Sequence, residues 1–136
     1  GEAMSSHPDI DMMSFTGSTR AGISVAKADA DTVKRVAQEL GGKSANIILD
    51  DADIEKAAKD VVIGAFGSTG QRCTATSRVI IEQEIYEEFI AKMLIFTKDL
   101  KIGNGIDADI DIGPLSSLDQ LEKVTEYIGL GVEQGG

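Results

Sequence analysis

The chain has 136 residues, 42% apolar and 26% charged, with 15 glycines, two prolines and a net charge of −10. That is the length and balance of one globular domain, and the negative charge argues against nucleic acid or an anionic membrane surface as partner, since both call for a basic face. A single cysteine rules out an internal disulfide, no apolar run reaches the ~18 residues of a membrane span, and no signal pattern opens the chain, so a cytoplasmic protein is expected.

Met4 to Asp11 reads as the end of a helix and a polar turn. His7, the only histidine, precedes Pro8 and is therefore expected to be extended and exposed. Met12 to Thr16 is a short apolar strand that runs into Gly17-Ser18-Thr19-Arg20-Ala21-Gly22, and a helical pattern follows from Ile23 to Ala30. Strand, glycine turn and helix start are where backbone N–H groups and the positive helix end can face a phosphate. Two named phosphate motifs fail here: Ile23-Ser24 stands where a P-loop needs its lysine and hydroxyl, and Thr19 stands where the dinucleotide fingerprint needs glycine. An ordinary strand-to-helix turn is the competing reading.

Val33 to Leu40 is a second strand, with Val36, Gln38 and Leu40 on one side and Ala37 and Glu39 on the other. Gly41-Gly42 breaks it. Ala45 to Leu49 resembles the buried strands of parallel sheets, and Asp50-Asp51-Ala52-Asp53 stops it and supplies helix caps. Ile54, Ala57, Ala58, Val61, Val62, Ala65 and Phe66 then recur at helical spacing, the clearest amphipathic pattern in the chain. After a strand at Ser77 to Glu82, Ile85, Phe89, Met93, Phe96 and Leu100 form the stripe of another helix. Asp107, Asp109 and Asp111 only loosely resemble a calcium loop, which would need glutamate where Leu118 stands, so no metal site is expected. Ser117-Leu118-Asp119-Gln120 is a capping box opening a last helix, with Leu118, Leu121, Val124, Thr125 and Ile128 on its inner face. Strands alternating with helices predict an α/β fold, a layered parallel-type sheet covered by helices.

Two stretches carry candidate chemistry. Cys73, the only thiol, follows Gly67 and Gly70 and precedes a strand, so it is expected to be presented on a turn. Glu39 stands directly before Gly41-Gly42 with only Leu40 between. A thiol and a carboxylate together suggest covalent catalysis followed by general-base hydrolysis. The bland alternatives are an inert buried cysteine and a structural glutamate.

Three segments together resemble the aldehyde dehydrogenase superfamily: Phe15-Thr16-Gly17-Ser18-Thr19-Arg20-Ala21-Gly22, Glu39-Leu40-Gly41-Gly42-Lys43-Ser44 and Gly70-Gln71-Arg72-Cys73. Order and spacing agree as well as residue type. The resemblance covers essentially the whole chain but only the middle of the family's longer one, so the chain is expected to be an internal fragment. It implies a partial aldehyde dehydrogenase fold, with residues 1–39 ending a NAD(P)-binding domain of Rossmann type and residues 40–136 beginning a catalytic domain. It implies Cys73 as nucleophile and Glu39 as general base. Gly17, Ser18, Thr19 and Gly22 would form the turn against NAD or NADP, with the Leu40 carbonyl near the nicotinamide. Gln120 stands where some members touch the nicotinamide ribose, in competition with its place in the capping box. The resemblance implies a parent that oxidises a small-molecule aldehyde, with a semialdehyde as the favoured class, and that forms a homo-oligomer. The family's oxyanion-holding asparagine and its Glu-x-Phe-Gly-Pro segment do not occur in this chain, so the fragment alone is expected to be inactive. Two other readings compete: a cysteine-dependent hydrolase, for which His7 would have to reach Cys73, and a non-catalytic self-associating α/β module.

Overall fold

A computed structural model describes residues 1–136. The chain divides into two compact units, residues 1–44 with 72–74, and residues 45–71 with 75–136.

The first unit is built from α1 (Glu2–Ser5), β1 (Met12–Gly17), α2 (Thr19–Asp29) and β2 (Arg35–Leu40). β1 and β2 pair in parallel, from Met12 opposite Arg35 to Gly17 opposite Leu40. Burial alternates along β2, with Val36, Gln38 and Leu40 turned inward and Ala37 and Glu39 outward, as the residue pattern predicts. α2 starts at Thr19, four residues before the expected Ile23, because Ser18 caps it: its hydroxyl oxygen accepts the Ala21 N–H at 3.2 Å. Gly22 therefore lies inside the helix, not in the turn, and is buried. β2 begins at Arg35, not Val33. Val33 is left-handed (φ 52°) and closes the 3₁₀ turn Ala30–Thr32 by donating its N–H to the Ala30 carbonyl.

This unit closes on polar atoms. The Lys34 side chain is 2% exposed, and its Nζ donates to the carbonyls of Ser5 (2.8 Å) and His7 (2.7 Å). It lies 3.8 Å from Asp29 Oδ1, whose side chain is 1% exposed and whose two oxygens accept no hydrogen bond.

The second unit contains β3 (Ser44–Ile48) from its second residue on, α3 (Ile54–Phe66), β4 (Thr76–Ile81), α4 (Tyr86–Lys98) and α5 (Leu118–Glu133). β3 and β4 form a two-stranded sheet. Asp53 caps α3 through a bond from the Lys56 N–H at 3.1 Å, as the acidic cluster predicts. The core is Ile48, Ala58, Val61 and Phe89, with Ile54, Ala57, Ile85, Met93 and Phe96 packed against it. Apart from Ile48 on β3, these are residues the helical spacing selects. Two expectations differ. Residues 45–49 do not form a wholly buried strand: Ile47 and Leu49 are exposed, because only the other face of β3 meets the helical core. Leu118, Leu121 and Ile128 on α5 are also exposed, and no residue of that helix is buried. No helix is long and apolar enough to cross a membrane.

Candidate active site

Parallel pairing sets Thr16 opposite Glu39 and Gly17 opposite Leu40. The Gly17-Ser18 turn and the Glu39-Leu40-Gly41-Gly42 segment thus leave the same, carboxyl, end of two adjacent parallel strands. In open α/β sheets that end is where ligands bind. The third motif arrives at the same unit: a Cβ built on Gly42 would stand 3.5 Å from the carbonyl oxygen of Cys73. Cys73 itself is exposed and free, on a turn just ahead of β4, and Glu39 is exposed on the outward side of β2.

The turn ahead of α2 has the character of an anion cradle. Ser18 takes the Ala21 N–H with its hydroxyl and the Gly22 N–H with its carbonyl. The amides of Thr19 and Arg20 are those a helix start leaves without an intrahelical acceptor, and residues 17–20 are exposed. A Cβ on Gly17 would lie 2.6 Å from the tip of the Phe15 ring, so a larger residue there would require that ring to shift. These residues suit the diphosphate of a dinucleotide. Gly22 has a different task in the fold, since a Cβ on it would lie 2.8 Å from Leu40 Cδ2 and 3.2 Å from Gln38 Oε1. Its smallness lets α2 settle on β2.

Gln120 belongs to the second unit and opens α5 there, its N–H donating to Ser117 Oγ at 3.2 Å. In the same unit Ser68 (φ 54°), Thr69 (φ 55°) and Gly70 (φ 70°) are successively left-handed. Two of the three carry a Cβ, an arrangement costing about 1–3 kcal/mol per residue and characteristic of functional segments. Gln71 is pinned after them: its Nε2 donates to Ser116 Oγ at 2.9 Å and its Oε1 accepts the Ser116 N–H at 3.1 Å. Sequence reasoning missed this clamp and the strain. The Gly-Ser-Thr-Gly run signalled a turn but not its handedness. His7, which a cysteine hydrolase would need, uses its Nδ1 to accept the Asp9 N–H at 3.2 Å. No group of His, Cys, Asp and Glu side chains is arranged to hold a metal ion.

An exposed thiol after a glycine turn, an outward carboxylate and an exposed helix start share one α/β unit, an arrangement suited to pairing a nucleotide with a nucleophile. The sequence model of the aldehyde dehydrogenase family matches residues 1–136, and the chain belongs to that family. It is 49% identical over 135 residues to a 3-succinoylsemialdehyde-pyridine dehydrogenase of a Pseudomonas species, and 42% identical over 135 residues to the alpha-ketoglutaric semialdehyde dehydrogenase of Bacillus subtilis. In both cases the match takes in 99% of this chain and 28% of the relative, so the chain spans little more than a quarter of their length. Among solved structures it resembles a cysteine-to-alanine mutant of aldehyde dehydrogenase C from Pseudomonas syringae in complex with NAD+ and octanal. That likeness has a TM-score of 0.90 and 42% identity, over 98% of this chain and 28% of that one. The betaine aldehyde dehydrogenase of Staphylococcus aureus in complex with NAD+ is similar at a TM-score of 0.91 and 37% identity, over 98% of this chain and 27% of that one.

Proposed function

We propose that this chain supplies the nucleophile, the general base and part of the cofactor cleft of an NAD(P)-dependent aldehyde dehydrogenase. The supporting observation is the convergence of three motifs in one unit: Gly17-Ser18 and Glu39 leave neighbouring parallel strands at the same end, and Gly42 approaches the backbone of Cys73. In this reading residues 1–39 finish a nucleotide-binding domain and residues 40–136 begin a catalytic one.

The thiolate of Cys73 adds to the aldehyde carbon, forming a C–S bond and an oxyanion. A backbone N–H at Cys73 would donate to that oxyanion. NAD(P)+ held at the Gly17-Ser18-Thr19 turn would supply the hydride acceptor, and the adduct on Cys73 would thereby become an acyl thioester. Glu39 takes a proton from water, whose oxygen attacks the thioester carbon; the C–S bond breaks, the thiolate returns and a carboxylic acid leaves. Gly17, Ser18 and Thr19 would hold the cofactor's phosphates and ribose, with the Leu40 carbonyl toward the nicotinamide, while Gly22 serves the packing of α2 on β2 and Gln120 the cap of α5. A semialdehyde is the favoured substrate class, since three of the matched relatives carry that word in their names. The protein works in the cytoplasm as a homo-oligomer.

The test uses the protein at full family length. Cys73→Ala abolishes aldehyde-dependent NADH formation. Glu39→Gln keeps the first-turnover burst but slows acid release by about 10²–10⁴-fold, the usual contribution of a positioned base. Full steady-state rate in either variant refutes the assignment. The 136-residue chain by itself is expected to form no NADH and to self-associate. Each strand of its two-stranded sheets has a free edge, and Ile47, Ile80, Leu94 and Ile128 are among its exposed apolar side chains.

A further inference from the structure

Gln38 and Glu39 are neighbours on β2 that face opposite ways. Glu39 points outward; Gln38 points to α2, where its Nε2 donates to the Gly22 carbonyl at 2.6 Å. Leu40, on the same side as Gln38, also rests on Gly22, as the 2.8 Å approach of its Cδ2 to a built Cβ shows. The two residues that flank Glu39 are therefore seated on one position of one helix. That helix begins at Ser18, in the turn assigned above to the cofactor.

A polar side chain on the inner side of a strand needs a reason. Solvation of the Gly22 carbonyl is not that reason, because inside α2 this carbonyl already accepts the helical N–H of Ala26. Filling space is not it either, since methionine has nearly the same length and no donor to satisfy. What the amide adds is a directional link between a helix backbone and a strand side chain, placed one residue before the carboxylate.

We propose that Gln38 is a positioning residue: through its bond to the Gly22 carbonyl it transmits the seating of α2, fixed by what occupies the Gly17-Ser18 turn, to the β2 backbone that aims Glu39. This rests on the reading of that turn and of Glu39 given under the proposed function. Gln38 touches neither substrate nor cofactor. Loss of the link leaves the thiol chemistry intact and loosens only the base that acts after hydride transfer.

The test compares wild type with Gln38→Met and Gln38→Glu in the protein at full family length, each variant lacking the donor. Hydrogen exchange is followed with and without saturating NAD+. In wild type, NAD+ slows amide exchange in peptides covering residues 17–22 and 35–40. In the variants the protection at 17–22 persists and that at 35–40 is lost. Steady-state turnover falls about 2- to 30-fold, the range of energetic coupling through packed networks, while the burst rate and the KM for NAD+ stay at the wild-type level. Unchanged protection at 35–40 in a folded variant overturns the proposal while leaving the cofactor reading in place. A burst that falls in step with turnover also overturns it, since that marks a merely structural loss. Wild type without NAD+-dependent protection at 17–22 overturns both. Should Gln38→Met fail to fold, Gln38→Glu carries the same readouts.

Discussion

The two units of this chain are held together by different kinds of interior. In the second, the fully buried side chains are apolar: Ala58, Val61 and Phe89 are each 0% exposed. In the first, the most buried are Ser5 and Asp29 at 1%, with Lys34 at 2%, and the close packing of α2 on β2 runs through a glycine. An apolar interior gains stability by area and tolerates approximate shape. A polar one depends on every partner being present, and it fixes direction more than it adds stability. The unit that carries Glu39 and Cys73 is the one built for direction. Its candidate reactive groups stay exposed, and Gln38 and Leu40 on either side of Glu39 are half-buried.

The comparison breaks first at Phe89. Phe89→Ala should cost about 3–5 kcal/mol, because no side chain around a 0% exposed ring can refill its volume, and thermal or urea unfolding of the full-length protein measures it. A loss below 1 kcal/mol would mean that this interior is not the apolar core described. The next largest effect is asymmetric and belongs to the first unit. Lys34→Met leaves Asp29 buried without its only cation and should cost about 3 kcal/mol or more. Asp29→Asn should cost less, since Lys34 keeps the Ser5 and His7 carbonyls. Equal losses would show that the ammonium is not what keeps that carboxylate buried.

Much of the second unit could be read from residue spacing. Helical recurrence from Ile54 to Phe66 and from Ile85 to Leu100 names nearly the whole core, since burial on a helix repeats every 3.6 residues whatever the partner. The strand alternation that set Glu39 outward was legible for the same reason. The polar clasp was not. Asp29, Lys34 and the carbonyls of Ser5 and His7 are joined by the path of the chain, and charges in sequence carry no mark of being buried. The turn ahead of Cys73 was legible as a turn, but three left-handed residues in succession were not, since Ser68 and Thr69 are poor residues for that conformation. Exposure on α5 was misjudged because amphipathic spacing states which face is apolar and not whether anything covers it.

A smaller effect sharpens the contrast at Gly22. Gly22→Ala places a methyl 2.8 Å from Leu40 Cδ2 and 3.2 Å from Gln38 Oε1. Both are ends of side chains that can move, so the loss should be about 1–3 kcal/mol of overpacking, partly offset by alanine's better helix propensity. If packing here is as directional as proposed, the variant slows turnover more than its stability loss accounts for. A rate that stays at the wild-type level would assign Gly22 to packing alone.

The smallest expected effect is a gain. Val33 is 90% exposed yet left-handed at φ 52°, so its branched side chain is strained and buries nothing in return. Its N–H closes the Ala30–Thr32 turn on the Ala30 carbonyl at 3.1 Å, which keeps that backbone in place whatever side chain it bears. Asparagine tolerates this region, so Val33→Asn should raise stability by about 0.5–1 kcal/mol. Val33→Ile, equally branched, should change nothing, and a thermal shift assay on the pair separates the two. Should Asn and Ile behave alike, the strain at the entry to Lys34 and β2 is not stored there. The polar clasp, rather than the turn, would then set where β2 begins.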